Sequence, residues 1–436
     1  MSLLIVGGVV VDPSQDLEEP RDLLLEDGRV AALEPVGVIP REGRRVIDAT
    51  GLIVCPGLID MHVHLREPGE EYKETIASGT RAAARGGFTA VACMPNTRPV
   101  NDQAAVTRFI LEEAARHGSA RVWPVGALTL GLQGEALCEY GELKAAGCVA
   151  LSDDGRPVMN SLVMRRALEY ARTFDLPVIS HAEDLELRAD GVMHEGEVAH
   201  RLGLKGIPGA AEEVMVYRDI RLARLAGARL HLAHLSTAGS VAIVREAKMA
   251  GLPVTCETAP HYFTLTDEAV AGQGPEALVR PVFDTHAKVN PPLRSRFDRE
   301  AVIAGLADGT IDAIASDHAP HSVLEKEVEF AEAAFGLIGL ETSVGLSLRL
   351  VHEGVLPLSR LIALMSTNPA RILGLPGGTL KVGAPGDVTV IDLFRPWTVD
   401  VNLFASKSRN CPFHGWVLKG KAVLTLRGGE VVWQEE

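Results

Sequence analysis

From Pro56 to roughly Gly374, eight short apolar runs alternate with alanine-rich helical stretches. Both ends of the 436-residue chain read instead as glycine-punctuated strands. These two patterns predict an α/β protein: a parallel (β/α)8 barrel of TIM type with a small β-sandwich domain built from both termini. A third observation agrees with them. Nearly every run of the middle segment ends in polar, chemically capable residues, and the C-terminal strand ends of such barrels are where catalysis sits. The division this implies is 1–55 and 372–436 for the β domain and 56–371 for the barrel, with no low-complexity linker to sharpen either boundary.

The N-terminal segment gives LLIVGGVVVD, then DLLLEDGRVAALEP about an Asp27-Gly28 turn, then RRVIDA. Asp-Gly between apolar runs is a hairpin signal. The barrel series starts with GLIDMHVH before ETIASGTRAAARGG, TAVACMPN before AVTRFILEEAARHG, and RVWPVGALT before ELKAAG. It continues through CVALSDDG, LPVISHAED, RLHLAHLS and LPVTCETAPH, and closes with IDAIASDHAPH. The alternation is poorest over 261–299. At the C-terminus GTLKVGAPGDVTVIDL, GWVLKGK and AVLTLRGGEVVWQ are of strand length.

Composition narrows the function. Hydrophobic residues make up 47% and charged residues 23%, which fills a core and excludes a disordered or fibrous chain. The longest N-terminal apolar run, Leu3–Val11, is far too short for a bilayer span and has no basic residue before it. Six scattered cysteines form no CxxC pair, which fits a reducing cytoplasm. Lys+Arg 43 against Asp+Glu 57 gives −14, which argues against nucleic acid or an anionic membrane as partner. A small anionic substrate remains compatible, because one arginine can hold it locally.

His62 and His64 lie two apart on the first barrel strand, so both point to the same side, at the mouth. His181, His234 and Asp317, at other strand ends, complete a mixed nitrogen and oxygen shell suited to zinc or a similar divalent metal. Five ligands exceed one tetrahedral site, so a bridging group is needed, and LSDDG at 151–155 offers two carboxylates. Alternation that turns Val149 and Leu151 toward the helices turns Cys148, Ala150, Ser152 and Asp154 inward. This favours Asp154 as the bridge and Asp153 as a hydrogen-bonding neighbour. No lysine lies on this strand, so a carboxylated-lysine bridge has no candidate.

GLIDMHVHLREPG, SDDG, SHAED, KVNPPLR and SDHAPH together resemble the dihydroorotases of the amidohydrolase superfamily, and the likeness runs on to the C-terminal SKSRNCPFHGW. HxH is shared by the whole superfamily, whereas HLREPG, NPPLR and an aspartate in place of the lysine bridge are more specific. The resemblance implies the barrel and β-sandwich already read from the pattern. It makes His62, His64, Asp154, His181, His234 and Asp317 the shell of two divalent ions, zinc by preference. It implies reversible cyclisation of N-carbamoyl-L-aspartate to (S)-dihydroorotate plus water, in de novo pyrimidine (UMP) synthesis. A metal-bridging hydroxide would be the nucleophile, with Asp317 as proton shuttle.

Arg66, on the loop after the first strand, has the planar fork that suits the ring carboxylate, with Asn96 as the neighbouring donor. By the same resemblance His64, Asn290, His321 and the Phe335-Gly336 backbone contact substrate. The implied partner is the small molecule itself; a homodimer and an association with aspartate carbamoyltransferase are also compatible with it. Two rival readings remain: another cyclic amidohydrolase (dihydropyrimidinase, hydantoinase or allantoinase), and a non-catalytic scaffold for aspartate carbamoyltransferase. The lysine bridge common in the first group is missing, and the scaffold reading conflicts with a complete set of shell histidines. Among the other histidines, His231 is expected to face a helix, His318 and His261 to support the shell, and Asp60 to be a buried hydrogen-bonding partner. His117, His194, His200, His286, His352 and His414 read as structural or solvated.

Overall fold

A computed structural model describes residues 2–273 and 281–435 of the protein, so residues 274–280 of the poorly alternating 261–299 stretch lie outside the described residues. The N-terminal segment supplies β1 (Ser2–Asp12), β2 (Leu17–Glu26), β3 (Arg29–Pro35), β4 (Arg45–Asp48) and β5 (Ile53–Pro56). The barrel starts with β6 (Leu58–Val63), β7 (Phe88–Cys93), β8 (Arg121–Gly126), β9 (Ala150–Leu151) and β10 (Val178–Ser180). After a small ribbon, β11 (Met193–His194) with β12 (Gly206–Ile207), it resumes with β13 (Leu230–Leu232), β14 (Val254–Thr258) and β15 (Ala313–Ile314). The chain returns through β16 (Val388–Thr398), β17 (Val417–Arg427) and β18 (Glu430–Gln434).

The eight barrel strands are the eight apolar runs, hydrogen-bonded in the order β6-β7-β8-β9-β10-β13-β14-β15. A parallel bridge from Val63 to His318, with His64 N donating to His318 O at 2.9 Å, joins the last strand end to the first. Met61, Ala92, Val125, Ala150, Ile179, Ala233, Ala313 and Ala315 pack as one interior cluster, stoppered by Ile372 and Leu373. Four of the crossover helices begin where a hydroxyl or amide side chain accepts from the first turn: Thr75, Asn160, Thr237 and Ser295. They bury alanines such as Ala83, Ala167, Ala171 and Ala223 against the strands, which lets helix and sheet approach closely. No helix of the described residues is long and apolar enough to cross a membrane.

The two chain ends share one sheet, ordered β18-β17-β16-β5-β1-β2-β3 with β4 beside β1. Its seam is β5, which pairs parallel to β1 and antiparallel to β16. Leu3, Ile5, Val10, Leu23 and Leu25 pack there with Val388, Val390, Leu424 and Leu426. Two sequence expectations change. The runs GWVLKGK and AVLTLR are one strand, β17, and it passes Gly420 (φ 96°), where a Cβ would lie 2.4 Å from Leu348. The GTLKV run is not a strand. Between β16 and β17 the chain leaves the sheet for the barrel mouth, where Val399, Phe404, Phe413 and Trp416 pack with Tyr262, Val289 and Leu337.

Candidate active site

The polar strand ends converge on one carboxylate. Asp154 Oδ1 lies 3.4 Å from His62 Nε2, 3.6 Å from His181 Nδ1 and 3.8 Å from His234 Nε2, while Oδ2 lies 3.5 Å from His64 Nε2. Asp317 Oδ1 stands 3.2 Å from His64 Nε2 and 3.6 Å from His62 Nε2. All six side chains are buried. Two overlapping triads, His62–His64–Asp317 and His62–Asp154–His234, hold their ligand atoms within 4.8 Å of one another. Of these atoms, His62 Nε2 and Asp154 Oδ1 have no hydrogen-bond partner among the described residues. Burying such atoms unpaired is costly, whereas imidazole and carboxylate converging at this spacing is a donor set that a divalent metal satisfies.

Neighbouring oxygens aim three of the four imidazoles. His62 Nδ1 meets Glu257 Oε1 at 2.7 Å, His64 Nδ1 meets Asn96 Oδ1 at 2.9 Å, and His181 Nε2 meets Glu183 Oε2 at 3.3 Å. A ring N–H committed to each oxygen leaves the other nitrogen's lone pair facing the cluster. Burial works against the Glu257 and Glu183 charges, yet their histidine partners hold both carboxyls below the ordinary range. Burial likewise opposes the Asp317 charge, and the His62, His64 and His234 imidazoles outweigh it and lower its pKa. Three site residues have left-handed backbone: Arg66 (φ 63°), His234 (φ 38°) and Asp317 (φ 47°). Non-glycine residues adopt this region at a cost, and such strain gathers at functional sites.

Asp153 points elsewhere: its Oδ1 accepts from Leu128 N at 2.8 Å and Thr129 N at 3.0 Å, and its Oδ2 from the Thr129 hydroxyl. The inward face of this segment needs one correction. Cys148 packs in the outer layer, with Thr107 Oγ1 at 3.3 Å from its Sγ, and Val149 touches the barrel interior. The strand begins only at Ala150, so its alternation does not extend back to Cys148. His231 is a second correction. Leu230 and Leu232 lie in the outer layer and Ala233 in the interior, so His231 turns inward, its Nε2 3.4 Å from Glu257 Oε2. The left-handed turn at His234 breaks the alternation from which His231 had been placed outward. Asp60 accepts from His62 N and Ser316 N, each at 3.1 Å, and His318 Nε2 sits 3.4 Å from Glu74 Oε2. His261 is buried against Tyr262, with ring centroids 4.1 Å apart.

One cavity of about 680 Å³ opens above the cluster, lined also by Arg66, Asn96, Asn290, His321, Phe335 and Gly336. Arg66 is held by its Nε, which donates to Pro320 O at 3.1 Å, while Nη1 is 4.0 Å from Glu70. Asn96 uses its oxygen on His64, which leaves its Nδ2 as a donor beside Arg66. Asn290 Nδ2 donates to Glu183 Oε2 at 3.0 Å, and its Oδ1 is buried without a hydrogen-bond partner. His321 Nε2 donates to Phe335 O at 2.8 Å; burial, with help from Arg66, lowers its pKa to about 4, so the ring is neutral near pH 7. Gly336 N donates to Lys288 O at 2.8 Å, so the Phe335 carbonyl and the Gly336 amide are both engaged within the chain.

Sequence reasoning gave no role to Glu183, Glu257, Arg188 or Asn410. The first two were visible as acidic residues at run ends. Arg188 lines the cavity with its guanidinium 5.1 Å from the Phe335 ring. Asn410, from the C-terminal segment, donates to Ala319 O at 3.0 Å and Gly336 O at 3.1 Å and accepts from His321 N at 3.2 Å.

Comparison with known proteins agrees with this geometry. A family model described as Dihydro-orotase-like matches residues 51–240. The chain is 59% identical over 434 residues to a dihydroorotase of Geobacter sp. (strain M21) and 58% identical to one of Geobacter metallireducens, covering 100% of each chain in both cases. Among solved structures, the L-hydantoinase (dihydropyrimidinase) of Arthrobacter aurescens superposes with a TM-score of 0.87 at 27% identity, over 99% of this chain and 96% of that one. The barrel with its terminal sheet is thus the architecture of the cyclic-amide hydrolases. Full-length identity of this order places the chain in the dihydroorotase family.

Proposed function

We propose that the chain catalyses the reversible cyclisation of N-carbamoyl-L-aspartate to (S)-dihydroorotate with loss of water, in the cytoplasmic synthesis of pyrimidines. The observation that carries this reading is one cavity holding both a His/Asp cluster and an arginine–asparagine pair for a carboxylate. Homologues named dihydroorotase over their full length support it. His62, His64, Asp154, His181, His234 and Asp317 would hold two zinc ions, with Asp154, which faces all four imidazoles, at the centre of the set. Metal bound there polarises an amide carbonyl and acidifies water. The same reading keeps 1–55 with 372–436 as one unit and 56–371 as the other.

The chain's own groups divide the remaining work. Arg66 and the Asn96 amide pair with the ring carboxylate and so fix which face of the ring meets the cluster. In ring opening, Asp317, ionised among its histidines, takes the proton of the attacking water and delivers it to the leaving nitrogen. The cyclising direction reverses both transfers. The unpartnered Asn290 Oδ1 accepts a ring N–H, and neutral His321, its one N–H committed to Phe335 O, holds the Phe335-Gly336 wall of the substrate pocket in place. A hydantoinase shares the barrel but acts on a ring without a carboxylate, so it has no use for Arg66 in this role.

Two measurements test the reading. The purified protein is expected to carry close to two divalent ions per chain and to turn over dihydroorotate and N-carbamoyl-L-aspartate far faster than hydantoin or allantoin. Arg66→Met is expected to lower kcat/KM on dihydroorotate about a hundredfold with metal content unchanged. The already low activity on dihydrouracil, a ring without the carboxylate, should scarcely move. Equal proportional loss on both rings would overturn the clamp and favour the hydantoinase reading.

A further inference from the structure

Beside the catalytic cavity lies a second one, of about 620 Å³, and the two share Arg66 and Asn96 as a common wall. Adjacent residues of one loop face the two spaces, Gly155 the first and Arg156 the second. Four cations line the second cavity: Arg66, Lys73, Arg98 and Arg156. Glu70 is the carboxylate in its wall, and three of the cations crowd it. Lys73 Nζ lies 3.1 Å, Arg98 Nε 3.3 Å and Arg66 Nη1 4.0 Å from its oxygens. Lys73 also reaches Glu325 Oε1 at 2.9 Å. Arg156 forms no ion pair among the described residues. Among the residues that line this space, four cations stand against the single carboxylate of Glu70, so its wall is positive in a chain whose net charge is −14. The charge is built into the fold at its inner end, where Arg66, Glu70 and Lys73 are buried, and reaches solvent through the exposed Arg98 and Arg156.

We propose that this second cavity is an anion-binding antechamber, which receives a carboxylate of the open-chain dicarboxylate and passes it to Arg66. The proposal rests on the function argued above and names a subsite of that same reaction. Its logic is electrostatic. N-carbamoyl-L-aspartate carries two carboxylates, dihydroorotate carries one, and Arg66 answers only one of them. The overall negative charge of the chain repels a dianion, but at physiological ionic strength fields decay within about 8 Å. Near the mouth the local cations therefore decide the potential. A carboxylate moving from Arg98 and Arg156 to Arg66 stays beside a cation throughout, so the dianion is never desolvated unpaired.

The test uses the metal-loaded full-length enzyme and an Arg98→Gln/Arg156→Gln double variant, assayed in both directions over a range of ionic strength. At low salt, kcat/KM for N-carbamoyl-L-aspartate should fall about tenfold, with kcat within about twofold of the parent. The fall for dihydroorotate should be about threefold, and the salt dependence of the dianion reaction should flatten. An Arg98→Glu/Arg156→Glu variant should lose more, in the same order. Unchanged kcat/KM with an unchanged salt slope overturns the antechamber, and so does an equal loss of kcat on both substrates. A parent enzyme that turns over neither substrate overturns the functional reading instead, and the antechamber with it.

Discussion

The carboxylate of Asp153 faces two backbone amides and a hydroxyl, and that of its neighbour Asp154 faces four imidazoles. Different losses are therefore expected from the same truncation. Asp154→Ala should abolish metal loading and turnover while leaving the fold largely intact. Asp153→Ala should keep its metal but lose about 1–3 kcal/mol of stability, because the Leu128 and Thr129 amides are left buried without an acceptor. Metal analysis beside denaturant unfolding distinguishes them, and metal loss from Asp153→Ala would overturn the assignment. Alternation in the sequence already turned Asp154 inward, yet the same rule misplaced Cys148 and His231. Period two holds only inside a hydrogen-bonded strand: β9 has two residues, and His234 turns its strand end through a left-handed conformation. Glu183 and Glu257 were visible as carboxylates at run ends. The partner of Glu183, His181, lies only two residues before it, whereas the pairing of Glu257 with His62 and His231 is set by tertiary packing that spacing along the chain does not reveal.

The eight barrel strands were legible because each is a buried run closed by polar residues, a pattern local to the element. The loops that finish the mouth are not local. The stretch from Ala319 to Gly336 carries His321, Phe335 and Gly336, and it is held from outside the barrel by the segment between β16 and β17. Asn410 there makes three hydrogen bonds to it, and Ser406 Oγ donates to Glu74, which in turn meets His318. Lys326 Nζ, donating to Ala334 O at 2.7 Å and Gly336 O at 3.0 Å, ties the same stretch from within. Nothing in SKSRNCPFHGW says which loop it will meet about ninety residues away in sequence. The contact nevertheless makes Asn410 a positioning residue for the substrate loop. Asn410→Ala should raise KM for dihydroorotate about tenfold with a much smaller change in kcat and normal metal content, since the cluster is untouched. Asn410→Asp keeps the acceptor for His321 N but sets a carboxylate against two carbonyls, and should be at least as harmful. A fall in kcat with KM unchanged would show that the segment acts on the cluster and not on the loop.

Across the whole molecule, acidification sets two families of buried groups against each other. Burial holds the His194, His261 and His321 pKa values down at about 4, so each folds as the neutral ring. The unfolded chain takes up these protons near pH 6.5 and the folded chain does not, so each histidine erodes stability as pH falls from 6.5 toward 4. Buried carboxyls do the reverse. Burial raises Asp60 and Glu341 to about 7 and Asp153 and Asp267 to about 6, so the folded chain binds these protons before the unfolded chain does. Each of these gains stability over its part of the same range. A group fully inside its window contributes up to about 1.4 kcal/mol per pH unit, with opposite sign for the two families. The parent's melting temperature should therefore change only gently between pH 7 and 4.5, and single variants away from the metal cluster should unmask each family. His194→Gln removes a ring that must stay neutral, so its melting temperature should fall less on acidification than the parent's. Glu341→Gln removes a carboxyl that is relieved by protonation, although Arg85 lies 3.2 Å away, so its melting temperature should fall more. Melting curves at saturating metal across that range measure both slopes, and two variants shifting in the same direction would refute the opposition.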